Sequence, residues 1–456
     1  MSLRQYIERR VTKQIISVMP VDSAARKEAP LIDRLIGRLI AAPNRTETLF
    51  GEGEIFLIKA ALYLVGARLE ESAFEGVGTQ WKEQTGVYQF DFNHGQHEKA
   101  LPAELALPHG FHVPVNVNPV APFSLERDNG VLYLKAGGMR LFPVEYEPRP
   151  QFYGLHTSDG TPMRFLAQHR LGDELMVTYN TYCHTLKHGG QCRFCALNAG
   201  SPIIPKKNGM FIQTPEQIAE VASAAYKEGA VKRLEITGGI LPRRAEVDFI
   251  IDVGHAVCKA LGTKTIPGGH CLLAAPNDLS QIEKLKEAGW EYIFFNLEVW
   301  NEHLFRGICP GKEEIVGREH WLKALDRAVE VFGPGNVVSI LIAGLEPLDS
   351  YLEGMEYLSA RGIYADPAPW FPMPGSPMEG HSSPTVSWHL NLIVKTLDHW
   401  ENIGWDLNEA AEDGWLAFND LARMRLKIRQ YAKAHPELDI TKDIRYKLAV
   451  EGKIDF

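Results

Sequence analysis

The amino-acid sequence predicts an α/β protein: a partial (β/α)6 TIM-like barrel with an N-terminal α+β extension and a helical C-terminal tail. In the middle of the chain, apolar runs of strand length alternate with amphipathic helical segments, and the alternation occurs six times. Strands that are apolar on both faces and alternate with helices indicate a parallel sheet. Six units suit a partial barrel, because a closed one needs eight. A flat doubly wound sheet is the competing architecture.

The first 170 residues form the predicted N-terminal extension. Residues 1–80 look helical, and residues 31–40 repeat apolar positions at helical spacing. Residues 85–170 are rich in Pro, Gly and aromatic side chains, and short runs such as 130–137 are typical of strands. The N-terminal sequence MSLRQYIERRVTKQ lacks the apolar stretch of a secretory signal. We therefore expect a cytoplasmic protein.

The predicted barrel covers residues 171–405. Its six strand candidates are the runs 174–180, 233–239, 270–276, 292–298, 337–344 and 368–374. Its helix candidates are 215–228, 247–261, 278–288, 318–332, 347–361 and 387–403. The first helix has clear boundaries, because Thr214 and Gln217 suit a capping box and Gly229 suits the end of a helix. In either architecture, ligands bind at the C-terminal ends of the strands.

Residues 406–456 form the predicted helical tail. Within it, the segment 415–435 has an apolar side that we expect to pack on the barrel. No chemistry is predicted for this part of the chain.

Composition limits the class of protein. The 456 residues include 57 acidic and 48 basic side chains, for a formal net charge of −9, which argues against a nucleic-acid partner. Apolar runs are all shorter than the ~18 residues that a membrane span needs, so no membrane association is expected. Six cysteines in a chain of this kind favour metal binding or catalysis over disulfides.

Three of the six cysteines lie within 13 residues of each other, namely Cys183, Cys192 and Cys195. They follow the first predicted strand. Three thiolates in one loop can hold three irons of a [4Fe–4S] cluster and leave the fourth iron open to an external ligand. Two alternatives remain: a zinc site with His184 or His188 as the fourth ligand, or a buried trio of unrelated cysteines.

This loop resembles the three-cysteine motif of the radical S-adenosylmethionine (SAM) superfamily. It keeps the final Cys-x-aromatic-Cys, with Phe194 in the aromatic position, but its first gap has eight residues where the commonest motif has three. The resemblance implies that Cys183, Cys192 and Cys195 bind a [4Fe–4S] cluster, and that SAM binds at the open iron.

The end of the second predicted strand adds to the resemblance. The sequence Thr237-Gly238-Gly239 is similar to the Gly-Gly-Glu-like motif that binds the SAM amino group in the superfamily, although Ile240 stands in place of the acid. The resemblance implies a SAM contact for this segment.

Later strand ends resemble the biotin synthase-related branch of the superfamily. The Asn-Leu-Glu sequence from Asn296 to Glu298 resembles an Asn-Leu-Asp segment whose acid binds the SAM ribose. By the same resemblance, Arg318 corresponds to an arginine that contacts the SAM carboxylate. Ile342 lies in a region that flanks adenine, and residues 372–377 are similar to a Pro-Gly-Thr-Pro turn.

Together the resemblance covers about residues 171–380 and implies an enzyme. In the superfamily, a reduced cluster cleaves SAM to methionine and a 5′-deoxyadenosyl radical, which abstracts hydrogen from a small-molecule or cofactor-precursor substrate. The implied partners are that substrate and an electron donor such as flavodoxin or ferredoxin. Sulfur insertion, rearrangement and cofactor assembly all stay open, and no catalytic residue is named. The alternative is a non-catalytic zinc-binding, iron–sulfur or electron-transfer protein.

The other three cysteines are expected to lie outside the chemistry. Cys258 shares a predicted helix face with aliphatic side chains, Cys271 lies on the third predicted strand, and Cys309 lies in a loop. A second cluster normally needs about four ligands, and these residues show no ligand spacing. We therefore expect a single cluster.

Overall fold

Two β-sheets organise the chain, one in the N-terminal part and one in the middle. The computed structural model describes residues 20–41, 50–85, 99–170, 173–197, 212–373, 375–379, 381–410 and 417–454. Some predicted features lie outside the described residues: the N-terminal sequence 1–14, the last residue of the run 368–374, and residues 415–416. The side chain of His188 also lies outside them.

The N-terminal part contains two helices and a six-stranded sheet. The helices are α1 (Pro20–Ala41) and α2 (Glu52–Val65). The strands are β1 (Ala67–Leu69), β2 (Glu104–Leu107), β3 (Phe111–Pro114), β4 (Phe123–Asp128), β5 (Val131–Ala136) and β6 (Met139–Tyr146). The sheet order is β1-β4-β5-β6-β2-β3, and only β1 and β4 pair in parallel. The predicted helix at 31–40 and strand at 130–137 are thus confirmed.

The middle part contains a seven-stranded sheet whose strands follow in chain order. The first strand, β7 (Gln168–Arg170), is an antiparallel edge strand. The next six strands are parallel to one another: β8 (Glu174–Thr178), β9 (Arg233–Thr237), β10 (Gly269–Leu272), β11 (Tyr292–Phe294), β12 (Val337–Ala343) and β13 (Ile363–Pro369). Five of the six predicted strands begin within one residue of these bounds.

The sixth predicted strand is wrong in position. The apolar run 368–374 predicts a strand, whereas the strand is Ile363–Pro369 and carries Asp366 at its centre. This strand is at the edge of the sheet, where proline is tolerated because one side of the backbone needs no partner. Ile363 and Ala365 are buried, so the outward face keeps the expected apolar character.

The parallel strands curl into an open barrel. Alternate residues of all six strands line one common cavity. They are Glu174 and Met176, Glu235 and Thr237, His270 and Leu272, Tyr292 and Phe294, Val338 and Ile340, and Tyr364 and Asp366. A flat doubly wound sheet has no such shared interior, so the prediction of a partial (β/α)6 barrel is confirmed. The strands are not apolar on both faces, however, because the inward face carries charged side chains.

Helices cover the outside of the barrel. They are α3 (Pro215–Glu228), α4 (Glu246–Leu261), α5 (Gln281–Glu287), α6 (Glu302–Ile308), α7 (Pro310–Ile315), α8 (Arg318–Phe332), α9 (Leu348–Ser359) and α10 (Val386–Asn402). The predicted capping box of α3 is present, since Thr214 Oγ1 accepts from Gln217 N at 3.2 Å and the Gln217 side chain accepts from Thr214 N at 3.0 Å. The short helices α6 and α7 were not predicted.

The tail packs on the last barrel helix and on the N-terminal part. Its helices are α11 (Leu407–Ala410), α12 (Ala417–Ala434) and α13 (Ile444–Tyr446). Helix α12 contacts α10 and α2. Its buried Arg425 donates to Asp398 of α10 at 2.7 Å, and its buried Asp420 pairs with Lys59 of α2. Among the described residues, no helix has the length and apolar character needed to span a bilayer. The division at residues 170 and 405 stays a prediction.

Candidate functional site

The barrel encloses a cavity of about 740 Å³ whose two ends differ in chemistry. At the C-terminal ends of the strands, the lining includes Cys183, Cys192 and Cys195. At the N-terminal ends, it includes the charged side chains of Glu174 and Glu235. Ligands of parallel-stranded barrels bind at the C-terminal ends, so the cysteine end is the expected cofactor end.

The three clustered cysteines all line the cavity. Cys183 Sγ is 3.1 Å from the Thr185 hydroxyl, and Cys195 Sγ accepts from the backbone N–H of Leu197 at 3.4 Å. The Cys195 N–H donates to the Cys192 carbonyl at 3.1 Å, which turns both side chains toward the same space. Three thiols that converge on one cavity fit the ligand set of a [4Fe–4S] cluster with one open iron.

The cysteine loop is held by backbone contacts with residues far along the chain. The Arg193 N–H donates to the Ile308 carbonyl at 2.8 Å, and the Gly311 N–H donates to the Gly190 carbonyl at 3.0 Å. The N–H of Met378, after the predicted Pro-Gly turn, donates to the Arg193 carbonyl at 3.0 Å. The loop therefore has a defined position although it lies between a strand and a helix.

The Cys309 thiol, which we expected to lie outside the chemistry, is next to this loop. It is buried and donates a hydrogen bond to Cys192 Sγ, which lowers the pKa of Cys192. Burial raises the pKa of the Cys195 thiol to about 12. A thiolate at that position needs a nearby positive charge, and a bound metal supplies one. Cys309 itself is not among the described residues that line the cavity.

The other two cysteines lie away from the cysteine loop. Cys271 is buried on the outward face of β10, where its Sγ is 3.5 Å from the Tyr292 carbonyl. Cys258 packs against the core and is 3.6 Å from the Ala288 carbonyl. The first histidine of the zinc alternative, His184, lines a second cavity together with Thr185 and Ile240, and is not among the described residues that line the barrel cavity.

The Gly-Gly segment touches the start of the cysteine loop. A Cβ on Gly239 would lie 2.2 Å from the Tyr182 carbonyl oxygen and 2.8 Å from Cys183 Cα. A Cβ on Gly238 would lie 2.4 Å from the Tyr179 ring. Together with Thr237, both glycines line the cavity. Glycine is required at position 239 because two backbone segments approach too closely for a side chain, and at position 238 because a Cβ would overlap the Tyr179 ring.

Asn296 and Glu298 also line the cavity, and a lysine that the sequence did not reveal joins them. Lys312 Nζ donates to Glu298 Oε1 at 2.6 Å and to the Asn296 carbonyl at 2.7 Å. The Asn296 side chain accepts from the Ile340 N–H at 3.2 Å. Burial raises the pKa of Glu298, and Lys312 opposes that shift. Burial disfavours the charged ammonium, yet Glu298 and the nearby thiols raise the pKa of Lys312.

The remaining predicted SAM contacts divide into two groups. Phe194 lines the cavity beside the cysteines. Ile342 and Arg318 are not among the described lining residues. The Ile342 N–H donates to the Glu298 carbonyl at 2.8 Å, so Ile342 supports the strand end through its backbone. The Arg318 guanidinium donates to the Trp300 carbonyl at 3.0 Å and lies 4.5 Å from the centre of the Trp300 ring.

The charged floor of the cavity was not predicted. Arg170 Nη1 is 3.3 Å from Glu174 Oε1 and 3.5 Å from Glu235 Oε1. Burial, followed by repulsion from Glu174, raises the pKa of Glu235 to about 8 and that of Asp366 to about 7. Burial lowers the pKa of His270 to about 4. The sequence does contain a pattern that indicates this floor: charged residues stand at alternate positions within the apolar runs. Such alternation is typical of strands with one polar face.

Comparison with known proteins shows what the middle part of the chain is similar to. Residues 187–363 match the profile of the Radical SAM superfamily. The bacteriochlorophyllide c C-7(1)-hydroxylase of Chlorobaculum limnaeum is 28% identical over 253 residues, which cover 53% of this chain and 63% of that protein. The biotin synthase of Salinibacter ruber (strain DSM 13855 / M31) is 30% identical over 112 residues, 25% of this chain and 29% of that protein. The chain thus spans less than two thirds of the length of either relative.

Among solved structures, methylornithine synthase is similar with a TM-score of 0.38 and 19% identity, over 51% of this chain and 63% of that one. The FeFe-hydrogenase maturase HydG of Carboxydothermus hydrogenoformans is similar with a TM-score of 0.38 and 16% identity, over 50% of this chain and 51% of that one.

Proposed function

We propose that this chain is an enzyme of the radical SAM superfamily, in its biotin synthase-related branch, that cleaves SAM at a [4Fe–4S] cluster. The resulting 5′-deoxyadenosyl radical would abstract hydrogen from a small-molecule or cofactor-precursor substrate. The observation that carries this proposal is the convergence of Cys183, Cys192 and Cys195 with the Gly-Gly segment and Glu298 at one end of a single cavity.

In this proposal the three cysteines would hold the cluster and would leave one iron without a protein ligand, where SAM could bind. When bound and reduced, the cluster supplies the electron that breaks the S–C5′ bond of SAM. Thr237, Gly238 and Gly239 offer backbone groups beside the cysteines, and Glu298 offers a carboxylate that can accept hydrogen bonds from ribose hydroxyls. The barrel wall excludes water from the space in which a radical would form.

The substrate would occupy the rest of the cavity, between the cofactor end and the charged floor. Tyr63 of α2 lines the cavity, so the N-terminal part of the chain contributes to the wall. The name of the hydroxylase relative describes a reaction at carbon of an organic molecule, which supports hydrogen abstraction from carbon here. A low-potential donor such as flavodoxin or ferredoxin would reduce the cluster, and the reducing cytoplasm would keep the cysteines free of disulfides.

The test is anaerobic reconstitution of the full chain with iron and sulfide, followed by incubation with SAM and dithionite. We expect about four irons per chain and the formation of 5′-deoxyadenosine and methionine. Replacing Cys183, Cys192 or Cys195 singly by Ala should abolish both. The Cys258→Ala variant is the matched control, because Cys258 lies away from the cavity. Stoichiometric zinc in place of iron, or an intact cluster in a single-Ala variant, would contradict the assignment.

A further inference from the structure

Three potential metal ligands lie together at the floor of the cavity. Glu235 of β9 and His270 of β10 are direct partners in the sheet register, and both point inward. On the other side of β9, Met176 pairs with Glu235, and Glu174 lies two residues before it on the same inward face. One ligand atom from each of Glu174, Glu235 and His270 can be chosen so that all lie within 4.8 Å of one another.

We propose that Glu174, Glu235 and His270 form a divalent-cation site at the floor of the cavity. The cation would hold an oxygen-bearing group of the substrate, while SAM occupies the opposite end of the cavity. This role of the cation rests on the proposed function. Two carboxylates and one imidazole suit borderline or hard divalent ions such as Mn²⁺, Fe²⁺ or Zn²⁺. Three protein ligands leave coordination positions open for substrate or water.

The imidazole of His270 supports a ligand at this place. Its ring centre is 4.7 Å from that of Tyr292 and 5.3 Å from that of Phe294, so aromatic side chains hold the ring. Neither ring nitrogen makes a hydrogen bond to any described residue, although the ring lies inside the barrel. An enclosed polar group is normally satisfied by a partner, and the cavity is the space in which the partner of His270 would lie.

Charge at the floor points in the same direction. The inward carboxylates are those of Glu174, Glu235 and Asp366, and the neighbouring guanidinium groups are those of Arg170 and Arg233. Three acids thus face two bases, with a neutral imidazole beside them. Asp366 makes no hydrogen bond to a described residue, so its carboxylate is available to a bound cation or to one of the cation's waters. A divalent cation would stabilise these carboxylates in their charged form.

Arg170 leaves room for such an ion. It approaches one oxygen of Glu174 and one oxygen of Glu235, at 3.3 and 3.5 Å. Each carboxylate has a second oxygen, and a carboxylate can bind a guanidinium through one oxygen and a metal through the other. The arginine then acts as a positioning residue, because it contacts both carboxylates.

The experiment is a titration of Mn²⁺ into the cluster-loaded full chain without SAM, with free Mn²⁺ measured by electron paramagnetic resonance. Mn²⁺ is the probe because it prefers oxygen and imidazole over thiolate, so it does not compete for the cysteines. We expect one saturable Mn²⁺ per chain and at least tenfold weaker binding in Glu235→Gln and in His270→Gln. Glu353→Gln is the matched control, because it removes an exposed carboxylate from α9.

Two further measurements separate this inference from the proposed function and from misfolding. The Cys192→Ala protein, which should lack the cluster, is expected to bind Mn²⁺ as the wild type does. In the wild type, electron spin echo modulation of bound Mn²⁺ should show coupling to one imidazole nitrogen, a result that needs no variant. The inference is wrong if no saturable site exists, if both floor variants keep wild-type affinity, or if bound Mn²⁺ shows no nitrogen coupling.

Discussion

The ammonium of Lys312 donates to the carboxylate of Glu298 at 2.6 Å, and this ion pair is buried beside the cysteine loop. The same ammonium donates to the Asn296 carbonyl and lies 4.7 Å from the centre of the Trp321 ring. Lys312 therefore holds the strand end that was predicted to bind SAM. It places one positive charge next to thiols that would carry negative charge as cluster ligands.

Glu298→Ala should weaken SAM binding by ~1–3 kcal/mol, the cost of losing hydrogen bonds to a charged group. Cluster content should stay normal, because Glu298 does not contact a cysteine side chain directly in the proposed arrangement. The measurement is calorimetric titration of SAM into cluster-loaded protein, with Glu353→Ala as the control. Glu298→Ala leaves the Lys312 ammonium buried without its carboxylate partner. Glu298→Gln should therefore be measured as well, because it removes the charge but keeps the shape of the side chain. Unchanged SAM affinity in both variants would remove Glu298 from the site.

Cys309→Ala should keep about four irons per chain, because Cys309 is not a proposed cluster ligand. The reduction potential of the cluster should fall, since hydrogen bonds to cluster sulfurs raise it and Cys309 donates to Cys192. A redox titration followed by electron paramagnetic resonance measures this change, and Cys271→Ala on the outward face of β10 is the control.

The number of clusters is tested separately with the triple variant Cys258→Ala, Cys271→Ser, Cys309→Ser. If the wild type carries clearly more than four irons per chain and the triple variant drops to about four, a second cluster exists.

Gly239→Ala should prevent cluster loading or destabilise the fold by about 1–3 kcal/mol, as over-packing does in tight sites. The added Cβ would meet a carbonyl oxygen and a Cα of the cysteine loop, and backbone atoms cannot rotate away. Gly307→Ala is the control, because its Cβ would meet nothing within 4 Å and the residue is exposed on α6. Iron per folded chain and thermal unfolding are the measurements. A fully loaded Gly239→Ala protein of wild-type stability would show that the close approach does not exist.

Acid should destabilise the protein in part through His389, which is buried in α10. Burial lowers the pKa of His389 to about 4, whereas an unfolded histidine titrates near 6.5. Between these values the unfolded chain binds the proton and the folded one does not, so stability falls as pH drops from 6.5 to 4. His389→Leu should remove this pH-dependent loss of unfolding free energy, which is on the order of 3 kcal/mol between pH 6.5 and pH 4. Urea unfolding at several pH values measures it, with exposed His255→Gln as the control. An unchanged pH profile would contradict the role of His389.

The sequence could predict features that depend on local pattern. The capping box of Thr214 and Gln217 and the bounds of α3 and α8 follow from side chains that are close along the chain. The convergence of Cys183, Cys192 and Cys195 was also predictable, because the three residues share one loop. The motifs at successive strand ends carry the resemblance to the radical SAM superfamily, and a barrel brings those strand ends to one rim.

Features that depend on contacts between distant segments could not be predicted in this way. Cys309 and Lys312 reach the site only because α7 packs on the cysteine loop, through the bond from Gly311 to Gly190. The last strand was predicted at the wrong position because Asp366 interrupts its apolar pattern, and the uninterrupted apolar run begins after it. Its position inside the barrel becomes evident only when the curvature of the sheet is known.

The buried ion pair of Lys59 and Asp420 limits how far the chain can fold during its synthesis. Lys59 belongs to α2, and its partner is 361 residues further along the chain. A buried ammonium without its counter-ion is costly, so α2 cannot reach its final environment at full stability until Asp420 has left the ribosome. During synthesis the barrel strands would emerge while the helix that helps to close the cavity still lacks its charge partner. Completion of the barrel cavity is thereby tied to the last part of translation.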